Sequence, residues 1–467
     1  MKRLIKYHVF FLMLLSLGFL ISCGEDEPEE PLQSKRTDIT SFVLDELNPS
    51  VSGNINTDDH AVTATVPFGT DVTSLSPTIE VSEKAEIAPA SGVTRDFTNP
   101  VTYVVTAEDE TTQEWTVTVN IADEELQPQL LLSEQPIWKY LASEGSLPSW
   151  FAAENGERNL AYHDESDVLL VTYNGDGVRL LNPSSGEDLG SLKDDNTVIT
   201  EEGSEVKIGD VEVTEDGQIL ASNITERPGI FRLYKWSAIN ATAEVYLEFT
   251  NDDYRLGESF NIEGDLTGDA VITAPGGRLF SGEARPGDNR ILEWTVTGGV
   301  LNTTPNIITV SALQEPYFGT IPTALPRTNQ PDTDLFINGN SISRPILIDN
   351  AGNVKSTVQY STGSLDIGFT NQMEEVVFQN NNFLGIVSPA GLGNDVFLLN
   401  ITDDLDVSED ELIITPGIPN SNYDVNNNAT GDVAVKISED GNTLTLFHLG
   451  TNTGLWAYEL TYGIPEK

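Results

Sequence analysis

The chain contains the stretch Asp210-Val-Glu-Val-Thr-Glu-Asp-Gly217-Gln-Ile-Leu-Ala-Ser222, in which two apolar-rich runs flank a tight Asp-Gly turn. This pattern predicts a β-hairpin. It recurs as Asp269-Ala-Val-Ile-Thr-Ala-Pro-Gly276-Gly-Arg-Leu-Phe-Ser281 and as Asp432-Val-Ala-Val-Lys-Ile-Ser-Glu-Asp-Gly441-Asn-Thr-Leu-Thr-Leu446, each time with a glycine before the first aspartate. Looser copies begin near Leu160 and near Ile367. A hairpin repeated along a chain indicates a repeat protein.

A further strand rich in large apolar residues follows each hairpin. Six such strands recur with a period of about 55 residues, which lies in the range of β-propeller blades with long loops. They are predicted at residues 178–181, 231–236, 290–294, 345–348, 396–399 and 455–460.

The predicted fold is therefore all-β, with a β-propeller over residues 130–463. Six blades is the first choice and seven the second. Radial repetition protects strand edges without helices, and almost no amphipathic helix is evident in this region. The stretch Pro136-Ile-Trp-Lys-Tyr-Leu141 could pair with the last blade and close the propeller. The alternative is two further β-sandwiches, which would not require a repeated Gly-Asp hairpin.

An all-β module is also predicted for residues 37–122, followed by a polar linker over 123–129. Residues 62–66, 101–107 and 115–121 alternate apolar and polar side chains between turn signals, which is typical of an immunoglobulin-like sandwich. The string Pro100-Val-Thr-Tyr-Val-Val-Thr-Ala-Glu-Asp109, closing on Trp115-Thr-Val-Thr-Val119, resembles an Ig-like module at the N-termini of many Bacteroidota surface lipoproteins linked to polysaccharide uptake. The resemblance implies a spacer or presenting domain without chemistry of its own.

The N-terminus has the layout of a secretory signal peptide over residues 1–22. A basic start precedes an apolar run over 9–21 that is too short for a stable membrane span. The ending Leu20-Ile21-Ser22-Cys23 resembles a bacterial lipobox, which implies that Cys23 is acylated and anchors the protein to a membrane. The alternative is an ordinary signal peptide with a buried thiol, but the chain has one cysteine and no partner for it in an oxidising compartment.

Residues 23–36 are predicted to form an acidic, solvated tether. The run Glu25-Asp26-Glu27-Pro28-Glu29-Glu30 cannot bury apolar surface. An acidic stretch directly after the cysteine resembles the surface-export signal of Bacteroidota lipoproteins. That resemblance implies a location on the outer membrane, facing the cell exterior.

The charge of the chain excludes one class of partner. The formal net charge is −49, from 24 basic and 73 acidic residues. Such a chain would be repelled by nucleic acid phosphates and by anionic lipid head groups. Acylation is therefore the expected contact with the membrane, and no nucleic acid is expected as a partner.

The sharpest local signal is an arginine at equivalent positions of successive blades. Arg227-Pro-Gly and Arg285-Pro-Gly stand 58 residues apart, and Arg344-Pro follows 59 residues later. Loops between the second and third strands line one mouth of a propeller channel, so these arginines are predicted to surround one opening. Guanidinium groups bind carboxylate and sulfate bidentately, which favours a pocket for a uronate or sulfated polymer. The alternative is that Pro-Gly forms a turn and each arginine pairs with a nearby acid.

Aromatic residues fall into two groups. Trp236 and Trp294 lie inside repeated strands and are predicted to be blade core. Trp150, Tyr317 and Phe318 lie in loop-like stretches, where exposed rings could stack on sugar rings. The alternative is that these three plug the channel or seal a contact between domains.

Sequence motifs for catalysis or metal binding are not found. There is no HExxH motif, no G-x-S-x-G elbow and no free thiol after lipidation. Asp403-Asp-Leu-Asp406 and Asn251-Asp-Asp253 offer oxygen ligands to calcium, but neither has the glycine and distal glutamate of an EF-hand loop. Exposed acidic turns explain them equally well. No catalytic residue, metal site or cofactor is predicted.

The whole layout resembles uncharacterised Bacteroidota lipoproteins that accompany polysaccharide utilisation systems. The resemblance implies a cell-surface protein that binds extracellular polysaccharide without catalysis, beside enzymes and an outer-membrane transporter. A propeller glycoside hydrolase or polysaccharide lyase is one alternative, and a convergent carboxylate pair at the channel mouth would favour it. A protein-interaction scaffold is the other, and a broad apolar patch without a polar pocket would favour that.

Overall fold

A computed structural model describes most of the chain and divides it into two compact units. One unit comprises residues 33–42, Gly53–Thr63 and Val72–Thr118, and the other comprises Val43–Ser52, Ala64–Asp71 and the residues from Val119 onward. The described residues are 33–122, 129–151, 156–173, 177–194, 197–225, 227–277, 289–311, 318–319, 321–339, 341–360, 372–388, 395–407, 412–415 and 430–464.

The described residues are all-β, as the sequence predicts. They contain 3-10 turns at Val72–Ser74 and Ala142–Glu144 and no α-helix. Within these ranges, no helix is long and apolar enough to cross a membrane.

Two antiparallel sheets lie in the N-terminal residues. Their alternating burial follows from alternating apolar residues, and the three strands predicted at 62–66, 101–107 and 115–121 are confirmed. The three-stranded sheet has the order β2-β1-β5, and the five-stranded sheet has the order β3-β4-β8-β7-β6. The strands are β1 (Ile39–Leu44), β2 (Val51–Ser52), β3 (Asn54–Asn56), β4 (Ala61–Val66), β5 (Thr78–Val81), β6 (Glu86–Ala88), β7 (Val101–Thr106) and β8 (Thr112–Ile121).

Six further antiparallel sheets follow, which we number 1 to 6 in chain order. Sheets 1 to 5 are each built from strands that follow one another closely in the sequence. Sheet 6 combines the last three strands of the chain with the two strands that precede sheet 1.

The strands of these sheets are as follows. The two that precede sheet 1 are β9 (Gln129–Leu132) and β10 (Trp138–Leu141). Sheet 1 contains β11 (Leu160–His163), β12 (Val168–Tyr173), β13 (Gly177–Leu181) and β14 (Asp188–Ser191). Sheet 2 contains β15 (Ser204–Val213), β16 (Ile219–Thr225), β17 (Gly229–Trp236) and β18 (Glu244–Asn251). Sheet 3 contains β19 (Asn261–Gly264), β20 (Ala270–Pro275), β21 (Arg290–Thr297), β22 (Val300–Leu301) and β23 (Asn306–Thr309). Sheet 4 contains β24 (Pro322–Pro326), β25 (Leu335–Gly339), β26 (Ile346–Ile348) and β27 (Val354–Thr357). A short parallel pair joins β28 (Gln359–Tyr360) to β32 (Asp406–Val407). Sheet 5 contains β29 (Met373–Phe378), β30 (Asn381–Ser388), β31 (Asp395–Asn400) and β33 (Leu412–Ile414), and sheet 6 adds β34 (Gly431–Ile437), β35 (Thr443–Gly450) and β36 (Gly454–Gly463) to β9 and β10.

The six apolar strands predicted from their 55-residue period are confirmed. Each is the third strand of its sheet, counted along the chain from β11, β15, β19, β24, β29 and β34, which we call the first strands. The six third strands are β13, β17, β21, β26, β31 and β36. Large apolar side chains concentrate there because a strand inside a sheet, with neighbouring sheets on both faces, is buried on both sides.

The first strands of the six sheets contact one another in cyclic order. Each of β11, β15, β19, β24 and β29 contacts the first strand of the next sheet, and β34 contacts β11 again. A separate apolar cluster fills the space between each pair of consecutive sheets, including sheets 6 and 1. Trp236 and Trp294 lie in two of these clusters at 1 % and 0 % exposure, so their predicted core role is confirmed.

An N-terminal strand completes the last sheet. β10 pairs with β36 in the register Trp138 with Ala457 through Leu141 with Gly454. β9 pairs with the far end of β36, where Gln129 lies opposite Gly463. The pairing predicted for residues 136–141 with the last repeat is confirmed.

The repeated Gly-Asp pattern is correct for two of its three copies. Gly209-Asp210 and Gly431-Asp432 occupy the same place in a first strand. Gly268-Asp269 was placed wrongly, because it lies in the turn between β19 and β20. Turn-forming residues occur on both sides of β20, and spacing alone could not tell which turn joins the first two strands. Asn261 holds the position of the aspartate in that sheet.

Candidate functional site

A ring of buried polar side chains, here the polar belt, lies among the first strands. Each sheet supplies one residue in its first strand or directly before it. All are at most 7 % exposed, so their polar atoms need partners inside the protein. The six residues are Asn159, Asp210, Asn261, Thr323, Gln372 and Asp432.

The two aspartates of the belt connect consecutive sheets. Asp210 accepts the backbone N–H of Phe260, which leads into sheet 3, at 2.8 Å. Asp432 accepts the N–H of Leu160, which begins sheet 1, at 2.7 Å. The glycine before Asp210 is required by space, since a Cβ on Gly209 would lie 2.5 Å from the carbonyl oxygen of Gly257. These contacts explain the repeated Gly-Asp pattern as structural.

Other belt contacts cross the interior. The amide of Gln372, before sheet 5, donates to Oδ1 of Asn159, before sheet 1, at 2.8 Å. These two sheets are not neighbours in the cyclic order, so their side chains reach past sheet 6. Thr323 donates to Asn261 at 3.1 Å. The belt therefore spans the space enclosed by the first strands.

A cavity of about 680 Å³, here the cup, opens on one side of the belt. First strands and first turns of sheets 1 to 5 line it. Asn261 reaches it from the belt, Tyr162 supplies an aromatic ring, and Val377 is an exposed apolar residue of its lining. Its acidic lining residues are Asp164, Glu165, Glu212, Glu215, Asp216, Glu263, Glu374 and Glu375.

Crowding of carboxyl groups raises their pKa values in the cup. Burial and then the charges of Asp432, Glu263 and Glu375 raise the pKa of Glu374 to about 8. Burial, followed by the charges of nearby glutamates, raises the pKa of Glu263 to about 7. The pKa of Glu212 is also raised, by burial first and then by neighbouring carboxylates, although Asn261 donates to it at 3.2 Å. The cup thus has a strongly electronegative wall that holds protons near neutral pH.

The cationic groups near the cup already have acidic partners. Arg327 lines the cup and binds Glu375 through two contacts, of 2.8 and 3.3 Å. Lys436 of sheet 6 binds Asp167, in the first turn of sheet 1. Tyr162 donates its hydroxyl to the same aspartate at 2.8 Å, and burial raises its pKa. Positive charge is therefore balanced locally, and the net field of the cup stays negative.

A buried ion network lies before the first strands of sheets 1 and 3. Glu258 binds both Arg158 and Arg255, and Arg255 also binds Glu205 at 3.1 Å. Burial alone would raise the pKa of Glu258, but the two guanidinium charges outweigh it and hold that pKa below its usual value. Arg158 and Glu258 belong to sheets separated by sheet 2, so this network also crosses the interior.

The predicted arginines take different partners. Arg227 lies between β16 and β17 and donates to the carbonyl oxygen of Gly277. Arg344 lies between β25 and β26 and donates to Gln359 at 2.8 Å. Both stand in the loop position predicted from the sequence, and Arg285 lies outside the described residues. An arginine ring around one opening stays a prediction.

Two of the three aromatic residues predicted to contact a sugar, Phe318 and Trp150, have buried side chains. Phe318 is 0 % exposed and packs in the cluster between sheets 3 and 4. Trp150 is 8 % exposed and packs between sheets 6 and 1. Both rings therefore belong to the apolar clusters between neighbouring sheets. Tyr317 lies outside the described residues, as does the lipidation candidate Cys23.

Local hydrogen bonds hold one of the acidic turns and both ring nitrogens of His163. In the part of the chain that the structure describes, no group of three or more acidic, histidine or cysteine side chains could hold a metal ion. Asn251, in one of the two acidic turns, accepts the N–H groups of Asp253 and Tyr254, as in an Asx turn. His163 uses one ring nitrogen on Gly217 and the other on Ser166.

The cup was missed from the sequence, although a signal for it existed. Polar residues at the belt positions of the first strands interrupt otherwise apolar runs, and Glu212 follows Asp210 with strand spacing. Asp210 and Glu212 lie on the same face of one strand because side chains alternate along a strand. With many acidic residues elsewhere in the chain, this signal did not stand out.

Comparison with known proteins places both parts of the chain. A family model described as "SGBP, N-terminal" matches residues 39–119, and one described as "Domain of unknown function (DUF8500)" matches residues 160–459. None of the curated proteins matches the chain.

Solved structures add a likeness of fold. A DUF4623 family protein from Bacteroides eggerthii is similar with a TM-score of 0.55, at 15% identity over 92% of this chain and 99% of that chain. A putative glycoside hydrolase from Bacteroides thetaiotaomicron is 29% identical over 25% of this chain and 35% of its own, but its TM-score of 0.17 supports no argument. The DUF8500 match extends over more than half of the sequence. The chain therefore belongs to the DUF8500 family, a domain family of unknown function, and carries an N-terminal SGBP-type module.

Proposed function

We propose that this protein is a cell-surface protein that binds extracellular polysaccharide. The observation that carries the proposal is the match of residues 39–119 to the SGBP N-terminal family, whose members are cell-surface, glycan-binding proteins of Bacteroidota. The signal peptide and the acylated Cys23 expected from the sequence fit that location. A neighbouring transporter or enzyme at the outer membrane would take over the captured polymer.

The scaffold in this proposal is a six-bladed β-propeller, each sheet being one blade. Six sheets, first strands in cyclic contact, and an apolar cluster between every consecutive pair support it. The pairing of β10 with β36 in sheet 6 supports it as well. A blade that contains strands from before the first sheet and from the last one closes the ring of blades.

The ligand site in this proposal is the cup. Polar side chains beside an aromatic ring and apolar residues suit a sugar, which presents hydroxyl groups and C–H faces together. Its carboxylates would repel uronate and sulfate groups. An anionic polymer would need the other end of the blades, because Arg227 and Gly217 flank opposite ends of β16.

Affinity electrophoresis of residues 24–467 through neutral, uronate and sulfated polysaccharides tests the proposal. We expect retardation by a neutral polymer without new reducing ends. Glu374→Gln should weaken it about fivefold, the value of one hydrogen bond of about 1 kcal/mol from a carboxyl group that is protonated at neutral pH, and Arg344→Ala should leave it unchanged. Retardation by acidic polymers that is lost in Arg344→Ala would move the site to the arginine loops. Absence of retardation by every polymer would refute glycan binding.

A glycoside hydrolase is the second candidate, because carboxyl groups converge in the cup. Glu374 retains a proton at neutral pH and Glu263 titrates near it, so the pair could supply an acid and a base. Release of reducing ends, abolished in both Glu374→Gln and Glu263→Gln, would establish this activity. A polysaccharide lyase is less favoured, since His163 and Tyr162 are engaged in structural hydrogen bonds. A protein-interaction scaffold is also less favoured, because a broad apolar patch without a polar pocket would be expected for it and the cup is a polar cavity.

A further inference from the structure

We infer that the cup receives the ends of neutral polysaccharide chains, including the ends of side branches, and not internal segments of a chain. This inference rests on the proposed function and specifies its ligand. It follows from the shape that the described residues give the cavity: one opening, a floor closed by side chains and a raised wall.

The floor of the cup is closed by the polar belt. Asn261 is the belt residue that reaches the cavity lining, and the remaining belt residues are buried outside that lining. The hydrogen bond from Gln372 to Asn159 crosses the interior at this depth, and Asn159 also donates to the carbonyl oxygen of Gly209 in the neighbouring sheet 2, at 2.6 Å. A polymer chain cannot pass through side chains that bind one another across the space it would occupy.

A second closure lies on the far side of the belt. The Arg158–Glu258–Arg255 network is buried and ties the entry of sheet 1 to that of sheet 3. Removing a partner from a buried ion pair is strongly unfavourable. Opening a passage there to let a chain through would leave charges without partners, so the interior behaves as a blind cavity.

The wall of the cup is built by sheets 1 to 5, and two contacts of sheet 6 connect sheet 5 with sheet 1. Turns or strand ends from sheets 1 to 5 line it. Sheet 6 closes the remaining side through Lys436, which binds Asp167 of sheet 1, and through Gly441, whose carbonyl oxygen accepts the amide of Gln379 from sheet 5. An internal segment of a polymer needs an open groove with two exits, whereas a chain end needs a single entrance.

The chemistry of the wall selects a neutral end. Carboxyl groups from the first strands or first turns of four sheets line the cavity. The positive charge of Arg327 is already paired with Glu375. Sugar hydroxyl groups can donate to these oxygens, and Tyr162 and Val377 offer surface for the C–H faces of a ring. A terminal uronate or sulfate would add a negative charge to an electronegative cavity.

Competition by polymer fragments tests the inference. The probes are the linear neutral polysaccharides amylose, mannan, curdlan and inulin, each intact and after partial acid hydrolysis to about a tenth of its chain length, with inhibition measured per mass of sugar. Binding to ends predicts that hydrolysis improves inhibition about tenfold, because it multiplies ends at constant mass. Binding to internal segments predicts equal or weaker inhibition.

Two matched variants locate the effect. Val377→Arg places a long side chain at the wall of the cup, on a residue that is 65 % exposed, and should abolish binding without unfolding the protein. Val354→Arg makes the same change on the exposed strand β27, and should bind as the unmodified protein does.

The outcomes separate the inference from the proposed function. Better inhibition by fragments, lost in Val377→Arg and kept in Val354→Arg, is the expected result. Binding that is unimproved by hydrolysis, or that survives Val377→Arg, overturns end recognition in the cup while polysaccharide binding stands. Failure of every intact and hydrolysed polymer to bind overturns the proposed function itself.

Discussion

Replacing Glu374 by glutamine tests how the crowded carboxyl groups of the cup affect stability. The pKa of Glu374 is raised to about 8 from an ordinary value of 4.5. The folded protein therefore keeps a proton that the unfolded chain releases at lower pH. A carboxyl group of this kind contributes its full stability below about pH 4.5, and that contribution is lost as the pH rises towards 8.

The size of the effect follows from the difference between the two pKa values. One pKa unit corresponds to about 1.4 kcal/mol, so the shift of Glu374 sets an upper limit of about 5 kcal/mol on the free energy of unfolding lost across this range. The cup is open to water, which screens the neighbouring charges, and we therefore expect about 2 kcal/mol. Glutamine keeps the shape and carries no charge, so Glu374→Gln avoids this loss.

Calorimetric melting of both proteins from about pH 5 to about pH 9 measures the difference. The two should melt together at the acidic end, where Glu374 is protonated. At the alkaline end the variant should melt about 4 °C higher, from about 2 °C per kcal/mol for a domain of this size. Glu187→Gln, a change at an exposed turn, is the control and should follow the unmodified protein. Melting curves of Glu374→Gln that stay parallel to the unmodified protein at every pH would refute the reasoning.

Three further predictions concern buried groups away from the cup. Burial lowers the pKa of His448 to about 3 from an ordinary value of 6.5. The unfolded chain therefore takes up the proton first as the pH falls, and the free energy of unfolding should decrease from about pH 6.5 towards pH 3. His448→Leu should flatten this decline in denaturant titrations. Glu258→Ala leaves Arg158 and Arg255 buried without their shared partner. It should lower the free energy of unfolding by about 3 to 5 kcal/mol in urea titrations. A loss below about 1 kcal/mol would show that the network does not stabilise the fold. Gly257→Ala should lower the free energy of unfolding by at least about 2 kcal/mol in urea titrations. The reason is that φ of Gly257 is +89° and a Cβ there would lie 1.8 Å from the carbonyl oxygen of Asn223. A free energy of unfolding equal to that of the unmodified protein would contradict this prediction.

Much of the fold could be predicted because it follows from local patterns. The third strands are runs of large apolar residues, and being buried on both faces makes them evident in the sequence. The pairing of β10 with β36 was predictable from an apolar strand left over before the first repeat. The register of sheet 3 was not, because the turns at Gly268 and Gly276 have similar composition and only tertiary contacts choose between them.

The candidate site was harder to predict, since it depends on side chains that converge from distant positions. Asn159 and Gln372 are 213 residues apart, and nothing in either local sequence indicates that they bind each other. Glu374 and Glu263 come from separate sheets and acquire raised pKa values through proximity and burial, which spacing along the chain does not encode. The arginine pattern was visible because it repeats, and repetition marks structural turns as readily as ligand contacts.

The pairing of β9 and β10 with β36 has a consequence for biosynthesis. These two strands leave the ribosome early, yet their partner is not complete until residue 463 has been made. During that interval their edges are exposed and could pair with another chain, as edge strands do. Sheets 1 to 5 need only nearby residues and can form as they emerge. The order of synthesis thus makes closure of the last sheet a late, long-range step, and a nascent chain arrested before β36 should be the form most dependent on chaperones.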